Sequence, residues 1–344
     1  MILHRLNRSV TILFSFMVVL YGDGTTDAVT KVATAAANWL KIETSVRGIG
    51  MGGSVAASSA GISVIPYNPS SIGYLSGSEA YYFKSNYLAD ISHNVLSYGV
   101  KLTGQDFVGV HLFYLNSGLI EATSLDYPDG TGEEFSVISM SLRGTYARRF
   151  TDRLKVGVSI DYLSEQLYQT VNMQGISFDI GSNFDTGIYG MILGMSITNF
   201  GPEVKYGGTG LCIEVDEAIA VDGKLCYPSE SFPLPMTFRL GVANDVVGKR
   251  SEFFKSDVHR ITLAADGINA IDYTVYGNVG MEYGYHNFGF VRAGMRLGHD
   301  TAGISAGGGL RYALNRGLTL LVDYAFVDYG ILEVTQQFSL SVEF

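Results

Sequence analysis

The stretch Gln337-Phe338-Ser339-Leu340-Ser341-Val342-Glu343-Phe344 decides the fold. Apolar and polar residues alternate along it. Phe338, Leu340, Val342 and Phe344 share one side, and Gln337, Ser339, Ser341 and Glu343 share the other. Alternation with period two makes a β-strand with two unlike faces. One face suits lipid and the other suits a polar lumen. An alternating strand that finishes on an aromatic residue is also what barrel-assembly machinery reads. Phe338, Leu340, Val342 and Phe344 are therefore expected to carry the assembly signal of a membrane β-barrel.

Working upstream, the same parity recurs. Leu320, Val322, Tyr324 and Phe326 oppose Asp323; Phe238, Leu240 and Val242 oppose Arg239; Val291, Ala293 and Met295 oppose Arg292 and Arg296. Val279, Met281 and Tyr283 oppose Glu282; Val156, Val158 and Ile160 oppose Lys155 and Asp161; Tyr98, Val100 and Leu102 oppose Lys101. In each case the charge lies opposite the apolar stripe. About fourteen such segments of barrel-spanning length run from residue 79 to the last, and bacterial barrels normally use an even number. They are expected near 80–90, 93–103, 106–119, 135–149, 154–166, 174–184, 187–200, 234–246, 260–267, 272–285, 288–297, 302–313, 317–329 and 334–344. The fold class is thus an all-β, transmembrane antiparallel β-barrel. Lipid forbids unpaired strand edges, which forces closure. An even count puts both ends of the barrel domain on the periplasmic side. Segments 121–134, 203–233 and 298–301 then fall outside, and 247–259 forms an unusually long link on the inner side.

Composition agrees. Of 344 residues, 47% are hydrophobic and only 16% charged, where a soluble domain carries about a quarter. Beyond the N-terminus no run of about twenty apolar residues appears, which argues against membrane helices. The 42 glycines and 22 tyrosines suit turns, barrel bends and membrane interfaces. Residues 1–24 read as a signal peptide: His4, Arg5 and Arg8 precede an apolar run from Val10 to Leu20, with cleavage expected between residues 22 and 28. The net charge of −10, with no basic arm, excludes nucleic acid as a partner. Cys212 and Cys226 are the two cysteines, and they either pair within one outer loop or stay as unrelated thiols.

Residues 25–78 differ from the barrel domain, 79–344. Ala28 to Leu40 is alanine-rich and reads as a short amphipathic helix. A Gly/Ala/Ser-rich stretch follows, then Tyr67-Asn68-Pro69-Ser70-Ser71. This segment has no core of its own and reads as either a linker or a plug folded into the barrel. Gly48-Ile49-Gly50-Met51-Gly52-Gly53 matches a dinucleotide fingerprint in letters, but the βαβ setting that fingerprint needs is missing. Backbone packed closely in a narrow lumen explains those glycines better.

The runs Asn38-Trp39-Leu40-Lys41-Ile42 and Arg47-Gly48-Ile49-Gly50-Met51-Gly52-Gly53, followed by Tyr67-Asn68-Pro69-Ser70, resemble the N-terminal region of FadL-like outer-membrane transporters, most of all their PorV/PorQ-like branch. Asn199-Phe200-Gly201-Pro202, with Phe232-Pro233-Leu234-Pro235 and Arg239-Leu240-Gly241, resembles a strand–loop–strand of that branch, lengthened here by the segment with both cysteines. The likeness covers residues 38–75 and 190–245. It implies a fourteen-stranded barrel whose N-terminal segment is a hatch in the lumen. Hatch residues would be Gly48, Gly50, Gly52, Gly53, Asn68, Pro69 and Ser70, with Ser70 in place of the usual alanine. It also implies passive passage of hydrophobic compounds, typically long-chain fatty acids, with outer-membrane lipid and the assembly machinery as further partners. The PorV-like branch includes secretion components, so a docking role stays open beside transport, as does a general porin for small polar solutes.

The lumen-side cations Lys101, Arg143, Arg239, Arg292, Arg296 and Arg311 have two readings. They form a network that holds a plug, or one of them receives a ligand head group, for which arginine suits a carboxylate. The six histidines show no metal-ligand spacing, and nothing like Gly-x-Ser-x-Gly marks a nucleophile. The reading is of a non-enzyme with no cofactor and no metal.

Overall fold

The computed structural model describes residues 32, 34–58, 61–168, 171–215, 224–301, 303–314 and 317–344. The expected signal peptide lies outside them. Fourteen strands form the wall: β1 Ser78–Asn86, β2 Ser92–Lys101, β3 Asp106–Asn116, β4 Ile138–Arg149, β5 Leu154–Gln166, β6 Asn172–Asp185, β7 Ile192–Phe200, β8 Thr237–Gly248, β9 His259–Ala270, β10 Tyr276–Tyr285, β11 Gly289–Leu297, β12 Ile304–Ala313, β13 Thr319–Asp328 and β14 Val334–Glu343. Each pairs antiparallel with the next, and β14 closes on β1 with Glu79 opposite Glu343. Beyond the last strand, the Phe344 amide donates to the Ser78 carbonyl at 2.9 Å, and the reverse bond is 2.8 Å.

All fourteen strands fall where the alternation puts them, because a covered inner face and a lipid-facing outer face demand opposite parities. Outward side chains stay exposed, as at Leu96 (58%), Val291 (64%) and Phe338 (53%). A closed barrel with an apolar outer wall is a structure for an outer membrane. The turns beside the Ser78–Phe344 end are short, apart from 249–258, and long loops crowd the opposite end. Long loops lie outside in such barrels, so the loop end is the extracellular one. The 249–258 link does not simply turn: Phe254–Lys255 adds a parallel pairing to the end of β8.

Residues 34–58 and 61–77 pack against the inward faces of the wall strands. The expected helix reduces, in its described part, to one 3-10 turn at Asn38–Lys41. Ala37, in a left-handed conformation (φ 49°), prevents its continuation upstream. A five-residue helix, α1 (Val46–Gly50), is capped by Ser45, whose hydroxyl accepts from the Gly48 amide. Two further 3-10 turns, Gly61–Val64 and Pro69–Tyr74, complete the segment.

The inner wall is shaped to this segment. A Cβ at Gly157 would stand 2.6 Å from the Ser70 amide nitrogen, and one at Gly181 would lie 2.9 Å from Cδ of Pro69. Gly194, Gly280 and Gly294 face Ala56, Met51 and Gly52 in the same way. These glycines serve close approach within the lumen rather than the bends expected of them. An apolar core forms on the β1–β5 side, beside buried polar residues such as His111, Arg143 and Asp161. Trp39, Val46, Ile49, Ile62, Ile65 and Ile72 of the segment share one core with Phe83, Val95, Phe107, Phe113 and Leu163 of the wall. Trp39 stacks on Phe113 with ring centroids 5.4 Å apart. Each buried isoleucine stabilises this docking by roughly 2 kcal/mol.

The long loop between β7 and β8 departs from the expectation that it lies wholly outside. Val204 and Leu234 join the same core, 4% and 3% exposed, and the Pro233 carbonyl accepts from the Ala36 amide at 3.0 Å. Its apolar residues fold back over the lumen because the core beneath is apolar. Its tip, a short hairpin, carries Cys212 and Cys226 opposite each other, joined as a disulfide.

Candidate functional site

Between the interior segment and the wall strands β9–β11, at the loop end, lies a cavity of about 430 Å3. Its walls are Tyr87, Tyr273, Tyr276, Tyr329 and His299, with Val32, Ile42 and Ala270 between them. The rings brace one another. Tyr87 meets Tyr329 edge-on at 5.9 Å, and His299 lies 5.2 Å from Tyr273 and 5.1 Å from Tyr276. Burial, reinforced by the charge of Arg296, holds His299 down to about 4, so it is neutral at physiological pH. The cations at the cavity are already matched: Lys41 Nζ stands 2.6 Å from Asp272 Oδ2, and Arg296 is paired with Glu43. Tyr273 donates to Asp300 Oδ2 at the rim (2.8 Å). What remains for a ligand is an aromatic surface with little free charge, the usual character of a small-molecule site.

A second cavity, about 240 Å3, opens at the chain-terminus end. Its lining is charged. Glu282 accepts from Arg47 Nε at 2.7 Å, Arg47 Nη2 at 3.0 Å and Arg292 Nε at 2.7 Å, and pairs also with Arg260. Arg292 reaches Asp323 at 2.5 Å, and Arg311 reaches Glu343 at 2.5 Å. The turn carrying Glu43 and α1 carrying Arg47 lie between the two cavities, and α1 packs on β11, β12 and β13.

The glycines at 48–53 thus belong to the lumen and not to a nucleotide loop. Gly50 packs on the wall with an added Cβ only 3.3 Å from Cβ of Arg292, and Gly52 and Gly53 take positive φ (67° and 85°). Asn68, Pro69 and Ser70 meet β6. Asn68 Nδ2 donates to the carbonyls of Ala56 (2.7 Å) and Ser182 (3.0 Å), while Oδ1 accepts from the Ser70 amide (3.1 Å) and hydroxyl (2.8 Å). Pro69 starts the following turn, where its missing N–H costs nothing.

The structure distributes the lumen cations rather than converging them. Arg143 lies mid-lumen, 2.9 Å from Asp161 and 3.0 Å from Asp179. Arg239 donates to Thr198 Oγ1 (3.1 Å) and lies over the Tyr67 ring at 5.5 Å. Lys101 is half-buried at the chain-terminus rim. Of the six, Arg296 alone lines the loop-end cavity. Sequence reasoning missed Tyr87, Tyr273, Tyr276, Tyr329, Glu43 and Arg47. The tyrosines stand at strand ends, where tyrosine is ordinary in a barrel, so no local signal separated them. It missed Asp266 as well, a buried wall carboxylate accepting from the Ala56 amide at 2.8 Å.

No family model matches the chain, and no curated protein matches it. Solved structures do. The CymD monoaromatic hydrocarbon channel is 14% identical, with a TM-score of 0.55 over 87% of this chain and 96% of that one. The Pseudomonas putida toluene transporter TodX is 12% identical, with a TM-score of 0.54 over 87% and 96%. A Pseudomonas aeruginosa FadL homologue is 14% identical, with a TM-score of 0.51 over 87% and 97%. The chain shares its barrel fold with these proteins.

Proposed function

We propose that this barrel admits hydrophobic compounds passively across the outer membrane. The observation that carries the reading is the 430 Å3 aromatic cavity between the outer loops and the interior segment. A ligand would partition into it from the loop end, held by apolar contact at about 25 cal/mol per Å2 buried. Movement of α1 and its neighbours would then connect it to the cavity at the opposite end. The named activities of the structural neighbours, hydrocarbon channel and toluene transporter, support an apolar substrate. Long-chain fatty acids are the substrate class that the sequence resemblance implies, and the cavity wall suits an alkyl chain. The packing of the interior segment against the inner wall speaks against an open porin.

Saturable binding of a fluorescent neutral hydrophobe to refolded barrel tests the proposal. Ala270→Trp, which fills the cavity, should weaken binding at least about tenfold (~1.4 kcal/mol) while leaving heat-modifiability unchanged. Equal binding by a correctly folded Ala270→Trp barrel would place the ligand elsewhere.

A docking role has one observation in its favour. The cross-linked hairpin exposes Ile213 (53%) and Tyr227 (57%) beyond the folded-back part of its loop. Retention of a co-purifying protein that is lost on deleting 209–228 would favour it over transport.

A further inference from the structure

The chain's negative charge is concentrated at one end. Among the described residues, the loops at the extracellular end carry twelve carboxylates against two lysines, Lys205 and Lys224. The described residues of the turns at the opposite end carry three carboxylates against four cations. The loop 117–137 holds Glu121, Asp126, Asp129, Glu133 and Glu134 and no lysine or arginine. Such a mouth concentrates cations and depletes anions near the entrance, by tenfold or more at low salt.

The cavity beneath it points the same way, independently. A carboxylate entering it would need a cation, and both cations present are held by Asp272 and Glu43. An anion bound there would be a second carboxylate on a cation whose charge one carboxylate already balances. His299 is neutral and offers no further positive charge. By contrast, Tyr87, Tyr273, Tyr276 and Tyr329 line the cavity, and aromatic rings attract an ammonium group as well as an apolar one. The Asp300 carboxylate at the rim adds to that attraction.

We propose that this cavity selects its hydrophobic ligands by charge, favouring hydrophobic amines over hydrophobic carboxylates. The proposal rests on the uptake reading above and narrows its substrate class: an amine with an apolar body binds best, an uncharged hydrophobe follows, and a fatty-acid anion is disfavoured.

The test uses three ligands with one chain length and different head groups: dodecylamine, 1-dodecanol and dodecanoate. Each competes with N-phenyl-1-naphthylamine bound to refolded full-length barrel in phosphatidylcholine nanodiscs near neutral pH, with empty nanodiscs correcting for partition into lipid. Dodecylamine should displace the probe at a concentration about tenfold lower than dodecanoate in about 20 mM salt, with dodecanol between them. The gap should shrink severalfold in about 0.5 M salt, where the mouth is screened. The variant E121Q/D126N/D129N/E133Q/E134Q should narrow the gap and leave dodecanol unchanged. Dodecanoate binding as tightly as dodecylamine, or a gap indifferent to salt, overturns the charge selection while dodecanol binding keeps the uptake reading. A bound probe that none of the three displaces overturns the charge selection alone, and failure of the probe itself to bind overturns both.

Discussion

Replacing Asn68 probes how the interior segment is held. Its side chain makes four hydrogen bonds, two donated to the Ala56 and Ser182 carbonyls and two accepted from Ser70, at 2.7 to 3.1 Å. It is fully buried, and the absence of a side chain at Gly181 makes its space. Asn68→Ala removes the cap of the Pro69–Tyr74 turn, at about 1 kcal/mol. It also leaves two carbonyls without this donor, at about 1 kcal/mol or more each unless water enters. The expected loss is about 3 kcal/mol, borne by the docking of residues 34–77 and not by the wall ladder. Asn68→Asp is the sharper variant. It keeps the cap but turns an acceptor toward two carbonyls, so it should loosen the segment at least as much as alanine does. The assay is limited proteolysis of refolded barrel, with cutting inside 34–77 followed by mass spectrometry and barrel integrity followed by heat-modifiable gel mobility. Both variants should be cut in the segment at least about tenfold faster, with the wall intact. An Asn68→Asp barrel as resistant as the unaltered protein would refute the reasoning.

Glu282→Gln should be more damaging, because Arg47 and Arg292 lose their shared carboxylate. A loss of about 3 kcal/mol or more in urea unfolding is expected. Arg47→Met leaves Glu282 with Arg292 and Arg260, and should expose α1 to protease without lowering the barrel's unfolding midpoint. Deleting Phe344 removes two backbone hydrogen bonds to Ser78 and the exposed aromatic end of the closing strand, so insertion into outer membrane should fall severalfold, read as surface-exposed, heat-modifiable protein. Between the ordinary histidine range and about 4, the unfolded chain takes a proton at His299 that the folded chain refuses. The His299 contribution to stability should therefore fall as pH drops through that window and stay flat above it, and His299→Asn should remove this part of the slope in unfolding measured against pH.

The sequence by itself determined the wall. A strand has a side-chain period of two, and a wall between lipid and a covered interior assigns each parity to one side, so the residues of the last strand already state which face is which. It also held a sign of the filled lumen. Phe107-Val108-Gly109-Val110-His111-Leu112-Phe113-Tyr114-Leu115 is apolar on both parities except at His111, and Phe107, Phe113 and Leu115 are buried against the interior core. A strand covered on both faces reads as a continuous apolar run. Only the tertiary structure decided how the interior is arranged. Which arginine meets which carboxylate depends on register around the closed wall: Arg47 meets Glu282 across 235 positions of chain, and Asn68 meets Ser182 across 114. The cavity follows the same rule. Tyr87, Tyr273, Tyr276 and Tyr329 are ordinary barrel tyrosines until closure brings β1 beside β14 and the interior segment leaves a gap against β9–β11. Local periodicity says which way a residue faces, and closure decides what it faces.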